Sequence, residues 1–205
     1  MANVVLISAS PAEPSKTEAL LEFVALRLNQ HGHRTEFLKL RHLPAGPLLA
    51  GDANADLIAS ARATVTDADA VVVGSPVFKA TYTGLLKVFI DLLPMDALRG
   101  KPVLPLLTGG SAAHILALDF GLKPLLATLG ASSIGRGRFV NSNAILPATE
   151  STRPRIDETV ELDVVDAIDR FDSELSIRSR LCSHAEAGDP ASVLSTPTTT
   201  DRNPS

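Results

Sequence analysis

The sequence has no tryptophan, one tyrosine and one cysteine. A lone cysteine, Cys182, excludes an intrachain disulfide, so the fold must rest on its packed core. Long apolar runs are missing too. No stretch reaches the roughly 18 residues that a membrane-spanning helix needs. The start, Met-Ala-Asn leading into a short apolar run, lacks the basic lead and long apolar centre of a secretory signal. A cytoplasmic protein with no membrane association is therefore expected. Strong charge is also lacking: a formal net charge of −4 gives no electrostatic footprint for nucleic acid. His31 and His33 are the only close histidine pair, and no Cys, Asp or Glu stands near enough in sequence to suggest a metal cluster, so no metal site is expected.

What is present is apolar residue in quantity, 45% of 205 positions, enough for one sizeable core. Composition divides the chain into a domain, 1–180, and a Ser/Thr/Pro/Asp-rich tail, 181–205, that is expected to be disordered. Residues 4–8, 70–74 and 103–108 are short apolar runs, the pattern of parallel strands buried on both faces. Alternation over 35–40 predicts a further strand, and a last one is placed at 139–145. Helical spacing predicts helices over 17–30, stopped by Gly32, and over 55–66, 85–93 and 112–129, the last kinked at Pro124. A final amphipathic helix follows Val160, Val164, Ile168, Phe171 and Leu175, whereas 41–53, rich in Pro and Gly, reads as an irregular connection. Strands alternating with helices, joined by right-handed crossovers, predict an α/β, flavodoxin-like doubly wound parallel sheet of about five strands in the order 2-1-3-4-5.

In such a sheet, ligands sit beyond the carboxyl ends of the strands, which selects three loops. The first, 8–17, carries Ser10, Ser15, Lys16 and Thr17 at the start of a helix. Hydroxyls, free backbone amides and the positive helix end make a phosphate pocket without any glycine-rich motif, although Ser15 also suits a plain helix cap. The second, 75–82, holds Pro76, Val77, Phe78 and Lys79, where small neighbours let a flat ligand approach the backbone. Phe78 can equally pack in the core, and Lys79 can be a solvated charge. The third, 108–114, is Thr108-Gly109-Gly110-Ser111 followed by Ala112, Ala113 and His114. Its amides can meet a heterocycle's carbonyls and stabilise negative charge on a reduced ring. His114 reads as a capping or core residue before a catalyst.

Taken together, these stretches resemble the NAD(P)H-dependent FMN reductase family, specifically the flavin reductases of two-component alkanesulfonate monooxygenases. The resemblance rests on Ser10-Pro11 through Thr17, Pro76 through Lys87, Asp91-Leu92-Leu93-Pro94, Leu104 through Gly110 with His114, and Leu118 through Pro124, and it spans residues 4–178. It implies hydride transfer from NADPH or NADH to FMN and delivery of reduced flavin to a partner monooxygenase. It places the FMN phosphate at Ser10, Ser15, Lys16 and Thr17. The ring lies along Pro76, Val77, Phe78 and Lys79, with its pyrimidine side at Thr108, Gly109, Gly110 and Ser111. It also implies a homodimer or homotetramer that uses the helix after His114. Two departures stand out: Ala9 and Ala12 replace a Gly and an Arg, and Phe120 replaces a Tyr whose hydroxyl bridges subunits.

Hydride transfer needs position more than proton transfer, so no catalytic acid or base is named. Few rings are available to clamp a flavin, which favours an exchangeable one. The rivals are an FMN-retaining quinone, azo or metal reductase, and a non-enzymatic electron carrier like flavodoxin.

Overall fold

A computed structural model describes residues 1–149 and 151–187. β1 (Asn3–Ser8) is followed by α1 (Lys16–Gln30) and β2 (Arg34–Lys39). Ser15 caps α1, its Oγ accepting from the Glu18 amide at 3.2 Å, and Gly32 at φ +86° turns the chain out of the helix. The segment expected to be irregular contains α2 (Ala45–Ala50), which then leads to α3 (Asp56–Asp67). Pro47 reads as a breaker, yet it falls in the first turn of α2, where its missing amide has no helical partner to lose.

β3 (Ala70–Pro76), α4 (Gly84–Ile90) and β4 (Pro102–Gly109) form the centre of the molecule. The parallel sheet runs β2-β1-β3-β4 and then a fifth position, the expected 2-1-3-4-5 order. Alternate residues feed opposite faces. Val5, Ile7, Val71, Val73, Val103 and Leu107 pack with α3, α4 and the segment after β4. Val4, Leu6, Val72, Leu104 and Leu106 pack with α1 and the last helix. Fully buried residues such as Leu6 and Ile7 each contribute about 1.5–3 kcal/mol of apolar burial.

The single helix expected over 112–129 is three pieces: a 3-10 turn at Ala112–His114, a π-helical turn at Leu118–Leu122, and α5 (Lys123–Ala127). Pro124 has no amide hydrogen, so no α-helical donor can reach the Phe120 carbonyl. The wider turn absorbs that defect, and the Lys123 amide donates to Leu118 O, five residues back.

The last strand is also discontinuous. β5 (Ser133–Ile134) pairs with residues 102–103 of β4, and β6 (Arg138–Asn141) pairs with residues 106–109. Gly135-Arg136-Gly137 separates them opposite Pro105, and a Cβ on Gly137 would lie 2.3 Å from the Pro105 carbonyl oxygen. β7 (Ile145–Leu146) leaves the sheet and pairs antiparallel with β8 (Arg155–Ile156).

α6 (Glu158–Ala187) closes the described chain. Arg27 grips Asp169 through two bonds of 2.8 Å, and His33 and His31 share Asp172 at 2.6 and 3.2 Å, which fastens α6 to α1. The α6 backbone runs past position 181, where the tail was expected to begin, and residues 188–205 lie outside the described residues. Among the described residues, no helix is long and apolar enough to cross a membrane.

Candidate active site

The carboxyl ends of β1, β3 and β4 bring the three loops together, and hydrogen bonds tie them into one rim. Thr17 Oγ1 and Thr108 Oγ1 are 2.7 Å apart and buried, joining the first loop to the third. The Val77 amide donates to Thr108 O at 2.7 Å, joining the second to the third. Thr83 Oγ1 donates to Ala9 O at 2.9 Å, and the Thr83 amide donates to Ser75 Oγ at 3.0 Å, joining the first to the second. Thr83 was not among the expected site residues. Its position before the apolar run of α4 is a helix-cap signal, and its Oγ1 does accept from the Leu86 amide; its bond to Ala9 has no signature in sequence.

In the first loop, Ser10 is buried and its Oγ accepts from the Ala12 amide at 3.3 Å. With Ser15 on the Glu18 amide, and Ser15 O accepting from the Ala19 amide, the amides of Lys16 and Thr17 have no acceptor among the described residues and remain as open donors at the start of α1. Lys16 sends its ammonium away from the loop, to Ile145 O at 2.6 Å.

The second loop is a tight reversal. Phe78 and Thr81 exchange backbone bonds of 2.9 and 3.3 Å around Lys79 and Ala80, which sit at φ +49° and +70°. Two non-glycine residues in the left-handed region mark strain held by the surroundings. Phe78 is 51% exposed, so it is not a core residue, whereas Tyr82 packs against the core. Gly121, in the π turn, lies so close that a Cβ there would meet Thr81 Oγ1 at 2.7 Å.

In the third loop, Gly109 lies beneath two rings: a Cβ would meet Phe139 at 3.0 Å and His114 Nδ1 at 3.4 Å. His114 Nδ1 is buried and has no hydrogen-bond partner among the described residues. Ser111 Oγ accepts from the Ala113 amide at 3.3 Å. Gly110 has open space where a side chain would be.

A charged group behind the first loop was also missed in sequence. Glu18 is buried, its carboxylate bound by Ser8 Oγ at 3.2 Å, by both Arg41 Nη atoms, and by Lys39 Nζ at 3.1 Å. Arg41 also reaches Glu13 at 3.2 Å. Nothing in the spacing of Glu18 and Arg41, on separate elements, announces this contact.

A cleft of about 550 Å³ lies at the other end of the sheet, lined by Asn3, Arg34, Glu36 and Asp67, and includes none of these loop residues.

The family model described as NADPH-dependent FMN reductase matches residues 2–145. The chain belongs to that family. It is an NAD(P)H:FMN oxidoreductase, with FMN as its flavin and NADPH or NADH as reductant. The FMN reductase (NADPH) of Pseudomonas putida strain KT2440 is 36% identical over 178 residues, covering 86% of this chain and 90% of that protein. The NADH-dependent FMN reductase SfnF of Pseudomonas putida is 37% identical over 147 residues, covering 69% and 78%. Among solved structures, the apo form of the NADH:FMN oxidoreductase EmoB matches at a TM-score of 0.76 and 36% identity, over 86% of this chain and 90% of that one. This FMN reductase thus shares its fold with EmoB.

Proposed function

We propose that this FMN reductase takes FMN as an exchangeable substrate, seats its phosphate on the first loop, and hands the reduced flavin to a partner monooxygenase. The observation that carries the seat is the pair of open amides at Lys16 and Thr17, set beside a rim in which all three loops are bonded together. A helix start of this kind favours a phosphate through its donors and its dipole. Ser10, Ser15, Lys16 and Thr17 frame that start, with Lys16 contributing its amide, since its ammonium is engaged elsewhere.

The ring lies along Pro76, Val77, Phe78 and Lys79. Thr108, Gly109, Gly110 and Ser111 meet its pyrimidine side, where backbone dipoles can stabilise charge. FMN, when bound, accepts a hydride from the nicotinamide. The chain's own part is to hold the ring and keep it accessible, and no residue is assigned as acid or base.

Exchange is supported by the scarcity of rings. Of the two rings in the second loop, Phe78 is exposed and Tyr82 packs against the core, and one stacked ring adds only about 1 kcal/mol beyond burial. Ile115, Leu116 and Phe120, the last 79% exposed, are apolar side chains that a second copy of the chain in a homodimer or homotetramer would cover. The same reading places the enzyme in the cytoplasm, where reduced nicotinamide is at hand.

The test is steady-state oxidation of NADH and NADPH with and without added FMN. Consumption that depends on added FMN, with riboflavin a poor substitute, supports the reading. A rate indifferent to added FMN and sustained by quinones favours a reductase that keeps its flavin.

A further inference from the structure

Glu18 sits in the first turn of α1, one residue beyond the open amides. A carboxylate there complements the helix dipole when nothing is bound. Toward a phosphate at the same helix start it is a like charge, and burial strengthens that repulsion because little water screens it. The nearest cation in sequence, Lys16, is turned to Ile145 O. Compensation comes instead from the end of β2 and the 3-10 turn Leu40–His42 after it. Lys39 lies 3.1 Å from Glu18, and Arg41, its side chain 9% exposed, spends both Nη groups on Glu18 and also touches Glu13 of the first loop.

We propose that Arg41 is the positioning residue of the phosphate seat: it neutralises Glu18 and ties the first loop, through Glu13, to the 3-10 turn Leu40–His42 that follows β2. The proposal rests on the phosphate seat described above. It assigns the electrostatics of that seat to a residue outside the three loops, in a chain whose loop carries Ala12 and a diverted Lys16. The buried pair thus has a reason beyond stability, which such pairs supply poorly.

The experiment measures FMN and riboflavin dissociation constants by flavin fluorescence, on the full chain, for wild type, R41M, R41K, E18Q and R41M/E18Q, with thermal melts alongside. Wild type should prefer FMN by about tenfold or more, since riboflavin lacks the phosphate. R41M should weaken FMN about tenfold and riboflavin less than about twofold, and R41K should recover part of the loss. R41M/E18Q should return FMN affinity to within about threefold of wild type, because the uncompensated carboxylate is gone. Equal losses for both flavins, or a double variant no better than R41M, overturn the proposal. Should R41M not fold, E18Q decides. It should tighten FMN by about threefold and leave riboflavin unchanged, and weaker FMN binding overturns the proposal. A wild type that binds both flavins equally removes the phosphate seat itself, a failure that is distinct because it shows before any variant is compared.

Discussion

The hydroxyl pair that links the first and third loops can be tested by a double-mutant cycle. Thr17 and Thr108 are 2% and 1% exposed, and each hydroxyl has the other as its partner at 2.7 Å. Thr17→Val keeps the shape but leaves Thr108 Oγ1 buried without a partner. An orphaned buried hydroxyl costs about 1–3 kcal/mol, whereas replacing both partners with apolar groups of the same shape is nearly neutral. At about 2 kcal/mol, and about 2–4 °C per kcal/mol for a chain of this size, each single variant should melt about 4–8 °C below wild type. The T17V/T108V double should lose less than either single. Urea titration of the four proteins, checked for a constant slope, gives the coupling energy. Strictly additive losses would mean that the hydroxyls do not depend on each other, and the bonded rim would lose its central contact.

Ala80→Gly should raise stability by about 0.5 kcal/mol by relieving φ +70°, while Ala80→Val should lower it by about 1 kcal/mol or more, both read by urea unfolding. Gly137→Ala should cost about 3 kcal/mol or more, because its Cβ would strike Pro105 O at 2.3 Å at φ +67°; Gly110→Ala, with open space around it, should leave the melting temperature unchanged. Arg27 holds the Asp169 carboxyl below its ordinary value, first by hydrogen bonding and then, against some desolvation, by charge. That contribution is present above a pH of about 4 and is lost as pH falls through the folded value. Asp169→Asn should therefore be less stable than wild type at neutral pH, with the gap closing below about pH 4 in pH-dependent urea melts; a constant gap contradicts the assignment.

The sheet order was legible because Val71–Val73 and Val103–Leu107 are apolar on both faces, a pattern only a covered parallel sheet accommodates. The three loops followed from that order alone. The helix after His114 was misread because apolar periodicity hides a change from 3-10 to π to α within sixteen residues, 112–127, and Pro124 signals a kink rather than a wider turn. The split of the fifth strand depends on how closely Gly137 meets Pro105, a contact across more than thirty residues of chain. In the site, Ser15 was legible as a cap, but the diversion of Lys16 to Ile145 and the pairing of Glu18 with Arg41 are tertiary facts. Ionic partners on different elements carry no periodicity from which they can be read.

The central claim is that the flavin is a substrate that leaves. It is tested most directly by an anaerobic dialysis cell, with the purified enzyme, NAD(P)H and FMN on one side and ferricyanide on the other, against a control lacking enzyme. The account predicts a protein that elutes colourless from gel filtration and an outer chamber bleached at a rate that rises with added FMN, as reduced flavin crosses the membrane. A yellow protein carrying one FMN per chain through gel filtration, with bleaching no faster than in the control, contradicts it.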